Sequence, residues 1–210
     1  MAISVDSSRG RKTKERAKPD DPVRASLTPE RWTEAATEVL ADHGIDSVRV
    51  DVLARTLGVT RGSFYWHFRD REDLLRSVLR AWRQHATEAL TARLERASTD
   101  PVEQIRDVIS LPFRGKAAVR AARIELAIRA WARRDDMARQ AVDEADGSRM
   151  GYIAQIFSSM GFPIVEARWR AFVLYSYVVA ESVMSRDMTA PQREERNRFV
   201  ERLIQMRAGA

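Results

Sequence analysis

The chain is expected to fold as an all-helical protein, and three features of its sequence lead there. No segment of its 210 residues alternates apolar and polar side chains for long enough to make a strand. Apolar residues recur instead at three- and four-residue spacing through most of the length. Punctuation falls between those stretches. Thr28-Pro29-Glu30 and Asp100-Pro101-Val102-Glu103 read as a cap, a Pro in the first turn and an acid near the positive end of the dipole, and Gly161-Phe162-Pro163 reads as a stop.

Taken in order, the first helix opens at Pro29, buries Trp32, Ala35, Ala36, Val39 and Leu40, and closes at His43-Gly44. A short second helix begins near Arg49, carries Leu53 and Ala54 inward, and ends at Leu57-Gly58-Val59, where Gly58 is suited to the left-handed conformation. Thr60 then caps a helix of about two turns, its hydroxyl placed to accept from the N–H of Gly62 or Ser63. Phe64 and Phe68, four apart, form the buried side of that helix. Arg61, Ser63, Tyr65, Trp66 and His67 are left on the other, a set of donors and aromatics that a core has no use for. Such a helix fits the major groove of B-DNA. A glycine turn between two helices also occurs in proteins that never touch DNA, so geometry alone leaves both readings open.

Asp70 caps a long helix over residues 70–96 with the inward stripe Leu74, Val78, Trp82, His85, Ala86 and Leu90. A helix from Asp100 stops near Leu111-Pro112, and Gly115 marks another break. Helices over 117–134, 136–160, 163–185 and 191–206 complete the chain.

Charge has to be read by position. The net formal charge is +6, yet residues 1–75 hold thirteen Lys and Arg against thirteen Asp and Glu, so the overall balance says nothing about a DNA-reading segment. Basic residues do cluster in an arm: Arg9, Arg11, Lys12, Lys14, Arg16 and Lys18 face only Glu15 between Ser7 and Lys18. Residues 1–24 lack apolar periodicity and are expected to be disordered in the free protein, either attracting phosphates non-specifically or entering a minor groove.

There is no cysteine, hence no disulfide or thiolate metal site. No apolar run reaches the roughly eighteen residues that span a bilayer, and the polar N-terminus has no signal-peptide core, so a cytoplasmic protein without a membrane partner is expected. The three histidines, His43, His67 and His85, form no metal-ligand spacing, and there is neither a Gly-rich phosphate loop nor a Ser nucleophile elbow. Neither a cofactor nor an enzymatic activity is expected. His43 is explained as a helix-end residue, His67 by the outward face, and His85 as a core or junction residue.

His43-Gly44, Leu53-Ala54, Gly58-Val59-Thr60, Tyr65-Trp66-His67-Phe68 and Arg71-Glu72-Asp73-Leu74-Leu75 together resemble the tetracycline-repressor (TetR) family of bacterial transcriptional regulators over about residues 27–75. The resemblance implies a DNA-binding set of Arg49, Thr60, Arg61, Ser63, Tyr65, Trp66, His67 and Arg71. Within it, Tyr65 and His67 are expected on phosphates and Arg61 and Ser63 on base edges. Two positions depart from the family pattern. Arg71 stands where a phosphate-binding Lys is usual, keeping the charge in a forked shape, and Arg49 replaces a small hydroxyl cap, which either weakens the cap or adds a phosphate contact.

Beyond residue 75 the resemblance is loose and rests on helix lengths, on Trp131-Ala132-Arg133-Arg134-Asp135 and on Gly161. It implies that the last two helices pack against their copies in a four-helix bundle. Phe172-Val173-Leu174-Tyr175-Ser176-Tyr177-Val178-Val179-Ala180 is apolar nearly all round, more than one buried face requires. Phe172, Tyr175, Val179, Phe199 and Leu203 are therefore candidates for a homodimer contact. Phe113, Trp131, Met150, Tyr152, Phe157, Trp169 and Tyr175 are candidates to line a small-molecule site between helices, against the plainer reading of each as core. Arginines at 114, 120, 123, 129, 133 and 134 recur at helical spacing, either as a solvated face or as a site for an anionic effector.

The expected organisation is a basic arm at 1–24, a three-helix helix-turn-helix domain at 25–75 and a helical effector-binding and dimerisation domain at 76–210. The expected function is that of a homodimeric repressor bound to a near-palindromic double-stranded operator and released by a small-molecule effector. Two alternatives stand beside it: an activator of the same fold, and a helical small-molecule-binding or enzymatic protein whose helix-turn-helix is incidental.

Overall fold

The computed structural model describes residues 27–113, 115–184 and 188–206, without the side chains of Ala89, Leu90, Arg93 and Phe113. The basic arm, Arg114, and the roles expected of the Leu90 and Phe113 side chains lie outside the described residues. Helices succeed one another throughout. They are α1 (Pro29–His43), a 3₁₀ turn (Ile45–Ser47), α2 (Val50–Thr56), α3 (Arg61–Phe64), α4 (Arg71–Arg83), a π-helical segment (Gln84–Glu88), α5 (Ala89–Ala97), α6 (Pro101–Ser110), α7 (Lys116–Ala132), α8 (Asp136–Ser159), α9 (Ile164–Met184) and α10 (Ala190–Gln205). No strand occurs among the described residues.

Local chemistry accounts for most boundaries. Asp70, Asp100 and Asp135 accept from the backbone N–H of Asp73, Val102 and Ala138 and so begin α4, α6 and α8. Thr189 and Gln192 form a reciprocal capping box at the start of α10. Gly58, at φ +68°, ends α2 in a Schellman turn, its N–H bonded to the Arg55 carbonyl and that of Val59 to the Ala54 carbonyl at 2.9 Å. Gly161, at φ +86°, closes α8 in the same way, through Ser158 and Phe157.

Two expectations about length are corrected. α3 is a single α-turn, continued by tight bonds from Tyr65 N–H to the Gly62 carbonyl and from His67 N–H to the Phe64 carbonyl, instead of a helix of two turns. The helix expected over 70–96 is broken at 84–88 by a π-helical turn, which admits one extra residue per turn and divides α4 from α5.

Two apolar cores fill the molecule. The first joins Trp32, Leu40, Leu53, Phe64, Leu74, Val78 and Trp82 of α1–α4 to Ile124, Ile128 and Trp131 of α7 and Val142 and Ala145 of α8. The second packs Leu94, Ile105 and Ile109 against Ile153, Phe157, Phe162, Leu174 and Ile204. Residue 75 therefore marks no gap in the packing: the helix-turn-helix shares its core with the first half of the C-terminal part. Along α8 the first core ends at Ala145 and the second begins at Ile153, and a polar cluster occupies the level between them.

Candidate nucleic-acid interface

The outward face of the short third helix is built from behind. Phe64 has no solvent exposure and packs edge-on to Trp32, ring centroids 5.4 Å apart, and stacks on Phe68 at 5.5 Å. These anchors turn their neighbours out: Tyr65 is 58% and Trp66 86% exposed, with Arg61 and Thr60 exposed and Ser63 and His67 half-buried. Tyr65 keeps an edge-on contact with Phe64 at 5.2 Å, but most of the Tyr-Trp pair lies in solvent, which is the reason to look for a partner there.

Charge is distributed to suit that face. Residues 27–75 carry six Arg and nine Asp or Glu, an acidic balance overall. Two acids of α1 and one of the 3₁₀ turn, however, are met by arginines of α7 and of the turn that follows it. Arg120 Nε lies 2.6 Å from Glu38, Arg123 bridges Glu38 at 2.7 Å and Asp42 at 2.6 Å, and Arg134 reaches Asp46 at 3.2 Å. On the opposite side Arg49 pairs with Asp51 at 3.2 Å and Arg69 with Asp70 at 3.3 Å. Among the described residues Arg61 has no ion-pair partner, which leaves its guanidinium free to meet an anion or a base edge.

Arg120, Arg123 and Arg134 are engaged by carboxylates on a solvent-exposed face, whereas Arg129 is partly buried against Asp146. Arg49 sits at the N-cap of α2 with no side-chain cap bond, since a guanidinium has only donors and the helix needs an acceptor there. Arg71 has a structural role that the sequence did not suggest: its Nε and Nη2 donate to the carbonyls of Val48 and Ile45 at 2.6 and 2.7 Å, so the fork of this exposed residue ties the start of α4 to the turn before α2. At α1, the Thr28 hydroxyl, with His67 a lesser contributor, holds the Glu30 carboxyl below the usual carboxylate range.

In the C-terminal part the expected small-molecule lining is divided. Trp131 is 2% exposed within the first core, and Phe157 is fully buried in the second, edge-on to Phe162 at 5.9 Å. Trp169 is 67% exposed on the far side of α9, away from the bundle interior. Met150 and Tyr152 are half-buried on α8, and burial pushes the Tyr152 hydroxyl up in pKa.

Tyr175 belongs to the polar cluster that sequence reasoning missed. Arg149 lies bidentate on Glu125 at 3.0 and 3.1 Å, and Arg129 lies bidentate on Asp146 at 2.5 and 2.9 Å. Tyr175 donates to Asp146 at 2.6 Å and accepts from Arg149 at 2.8 Å, and the Trp82 indole N–H donates to Glu125 at 3.2 Å. Burial is the main reason the Tyr175 pKa is pushed up to about 12, which keeps it a neutral donor. Burial works against the charges of Arg129, Arg149 and Asp146 as well, yet the bonds win: both guanidinium pKa values are raised and that of Asp146 is lowered. The signal in the sequence was the spacing of Glu125 to Arg129 and of Asp146 to Arg149, four and three apart on successive helices.

Of the expected dimer contacts, Phe172, Phe199 and Leu203 are more than half exposed and Val179 is half-buried. They continue into Val165, Trp169, Val173 and Met184, forming an apolar stripe along α9 and α10. Tyr175 leaves this set, because its hydroxyl is held in the interior by Asp146.

Comparison with known proteins agrees with this geometry. The family model described as "Bacterial regulatory proteins, tetR family" matches residues 33–78. The HTH-type transcriptional regulator SrpR of Pseudomonas putida is 44% identical over 64 residues, 30% of each chain. AcrR of Shigella flexneri, another such regulator, is 26% identical over 85 residues, 40% of each chain. These matches span less than half of the length of either relative. Among solved structures, a transcriptional regulator from Rhodococcus shares the fold with a TM-score of 0.68 at 20% identity, over 85% of this chain and 94% of that one. A regulator from Saccharomonospora viridis, solved in complex with choline, superposes with a TM-score of 0.69 at 21% identity, over 82% and 95%. No helix among the described residues is long and apolar enough to cross a membrane.

Proposed function

We propose, from the match of residues 33–78 to the tetR family of bacterial regulatory proteins, that the whole chain is a homodimeric, sequence-specific transcriptional regulator. It acts in the cytoplasm as a repressor that a small-molecule effector releases from a near-palindromic operator, and it has no enzymatic activity. Residues 25–75 read DNA, residues 76–210 bind the effector and dimerise, and the basic arm at 1–24 adds phosphate attraction. The observation that carries this reading is the exposed set Thr60, Arg61, Tyr65 and Trp66 held on a buried base of Phe64, Phe68 and Trp32. Arg61 and Ser63 meet base edges while Tyr65, Trp66, His67 and Arg49 meet the backbone.

Dimerisation follows from the stripe on α9 and α10, where Phe172, Trp169, Phe199 and Leu203 stay wet in one protomer. Two-fold symmetry then places two reading turns about one helical repeat apart. The effector acts through α4, which begins at the DNA-reading turn and reaches the interior cluster at Trp82. An effector that binds better to the conformation with misplaced heads lowers DNA affinity by the same factor. The structure solved with choline lends support, since there the same fold holds a small molecule.

The test is substitution of the outward face. Arg61→Ala and Tyr65→Ala should abolish binding to duplex DNA while thermal unfolding and dimerisation stay as in the parent chain. Unchanged DNA binding by both variants would make the helix-turn-helix incidental.

A further inference from the structure

Arg149 occupies a cage made for a cation. Its guanidinium lies over the rings of Trp82 and Tyr175, 5.6 and 5.9 Å from their centroids, with both oxygens of Glu125 at its edge and the Asp146 carboxylate 3.9 Å away. Aromatic faces and carboxylates both favour positive charge, and together they disfavour an anion. The cage also stands partly without its occupant: Trp82 donates to Glu125, Tyr175 donates to Asp146, and Arg129 grips both acids. Its occupant is the tip of a long flexible side chain, and 14–24% of the surface of the four charged side chains still reaches solvent. The fourth bond of Arg149 runs elsewhere. Nε donates, at 3.2 Å, to the carbonyl of Ala86 within the π-helical turn that separates α4 from α5.

We propose that the effector is an organic cation with a planar, guanidinium-sized head, and that it acts by displacing Arg149 from the Trp82–Tyr175–Glu125–Asp146 cage and thereby freeing the Ala86 carbonyl. This rests on reading the chain as an effector-controlled regulator. Arg149 is then a built-in competitor whose presence in the cage holds the π-turn, and hence α4 and the reading turn, in the geometry described. The incoming cation repeats the bonds to Glu125 and the ring faces but carries no stem through the Ala86 carbonyl, so the π-turn is free to relax.

Binding is measured by calorimetry on the full chain without DNA, using benzylguanidinium and its uncharged isostere benzylurea. The cation should bind about tenfold or more tightly than the urea, the size of a charge-assisted hydrogen bond or a desolvated cation–π contact. Arg149→Met, which removes the competitor, should tighten benzylguanidinium binding by about tenfold or more, and adding Glu125→Gln should abolish that gain. Equal affinity for cation and urea in the wild-type chain, or preference for benzylcarboxylate, overturns the cage and leaves the regulator reading standing. The wild-type comparison decides this even where a variant fails to fold. Cage binding that leaves affinity for a selected duplex unchanged overturns the switching role and leaves the DNA-binding reading to the Arg61 and Tyr65 variants.

Discussion

The guanidinium of Arg71 donates to the carbonyl of Val48 at 2.6 Å and, through its other arm, to that of Ile45 at 2.7 Å. Both acceptors belong to residues buried beneath the turn that precedes α2, and α2 in turn supports the reading turn. One arginine thus fixes the start of α4 against the base of the DNA-facing unit.

Arg71→Ala should therefore lower stability by about 2 kcal/mol, because two charge-assisted bonds to carbonyls are lost at once. Arg71→Lys should recover only part of it, since an ammonium cannot serve both acceptors in the fork geometry. Denaturant unfolding checks the order. Unchanged stability together with a salt dependence of DNA binding reduced by about one ion would return Arg71 to a phosphate-contact role.

Glu38 receives Arg120 and Arg123 from α7, and a double-mutant cycle between Glu38 and Arg123 should give a coupling of about 0.5–1 kcal/mol, as for other exposed pairs. The coupling should shrink as salt is raised. A coupling of zero at low salt would mean that the shared apolar core alone holds α1 to α7.

Phe172→Glu and Leu203→Glu place charges on the wet apolar stripe of α9 and α10. Each should shift the chain to a monomer in sedimentation experiments with little loss of protomer stability, because the positions are exposed in one copy. A dimer that survives both substitutions would require another interface.

The pH dependence of stability follows from Asp146. Burial opposes its charge, but bonds from Arg129 and Tyr175 hold its carboxyl below the ordinary value of 3.8. A carboxyl depressed on folding contributes stability above its unfolded pKa and loses it as pH falls through the folded one. The wild-type chain should keep this contribution down to about pH 4 and lose it below. Asp146→Asn should be less stable at pH 7 by about 2 kcal/mol, having half-unpaired Arg129, and should show a shallower loss on acidification. Urea melts at a series of pH values give both slopes.

Much of the fold was legible because its signals are local. Thr28-Pro29, Asp100-Pro101 and Gly161 mark helix ends within the few residues that form them, and the structure places the ends there. The π-turn at 84–88 was not legible: Gln-His-Ala-Thr-Glu carries no mark of it, and a bond from Arg149, far along the chain, meets its Ala86 carbonyl. His85 is likewise turned to solvent by that change of pitch instead of joining the inward stripe. The outward set around Tyr65 could be read because Phe64 and Phe68 define the opposite side. Trp131, Phe157 and Trp169 could not be told apart by residue type, since a large aromatic at helical spacing suits a core, a pocket or a dimer face equally well. Arg71 shows the same limit for charge, as a guanidinium near DNA and one that pins a carbonyl look alike in sequence.

The central claim is tested most directly by selecting bound duplexes from a random pool with the purified chain and sequencing those enriched, at two salt concentrations. A near-palindrome with half-sites about one helical turn apart, enriched at both concentrations, is the result expected of a dimer reading bases through Arg61 and Ser63. Recovery of no common sequence, with binding that vanishes at the higher salt, would contradict it.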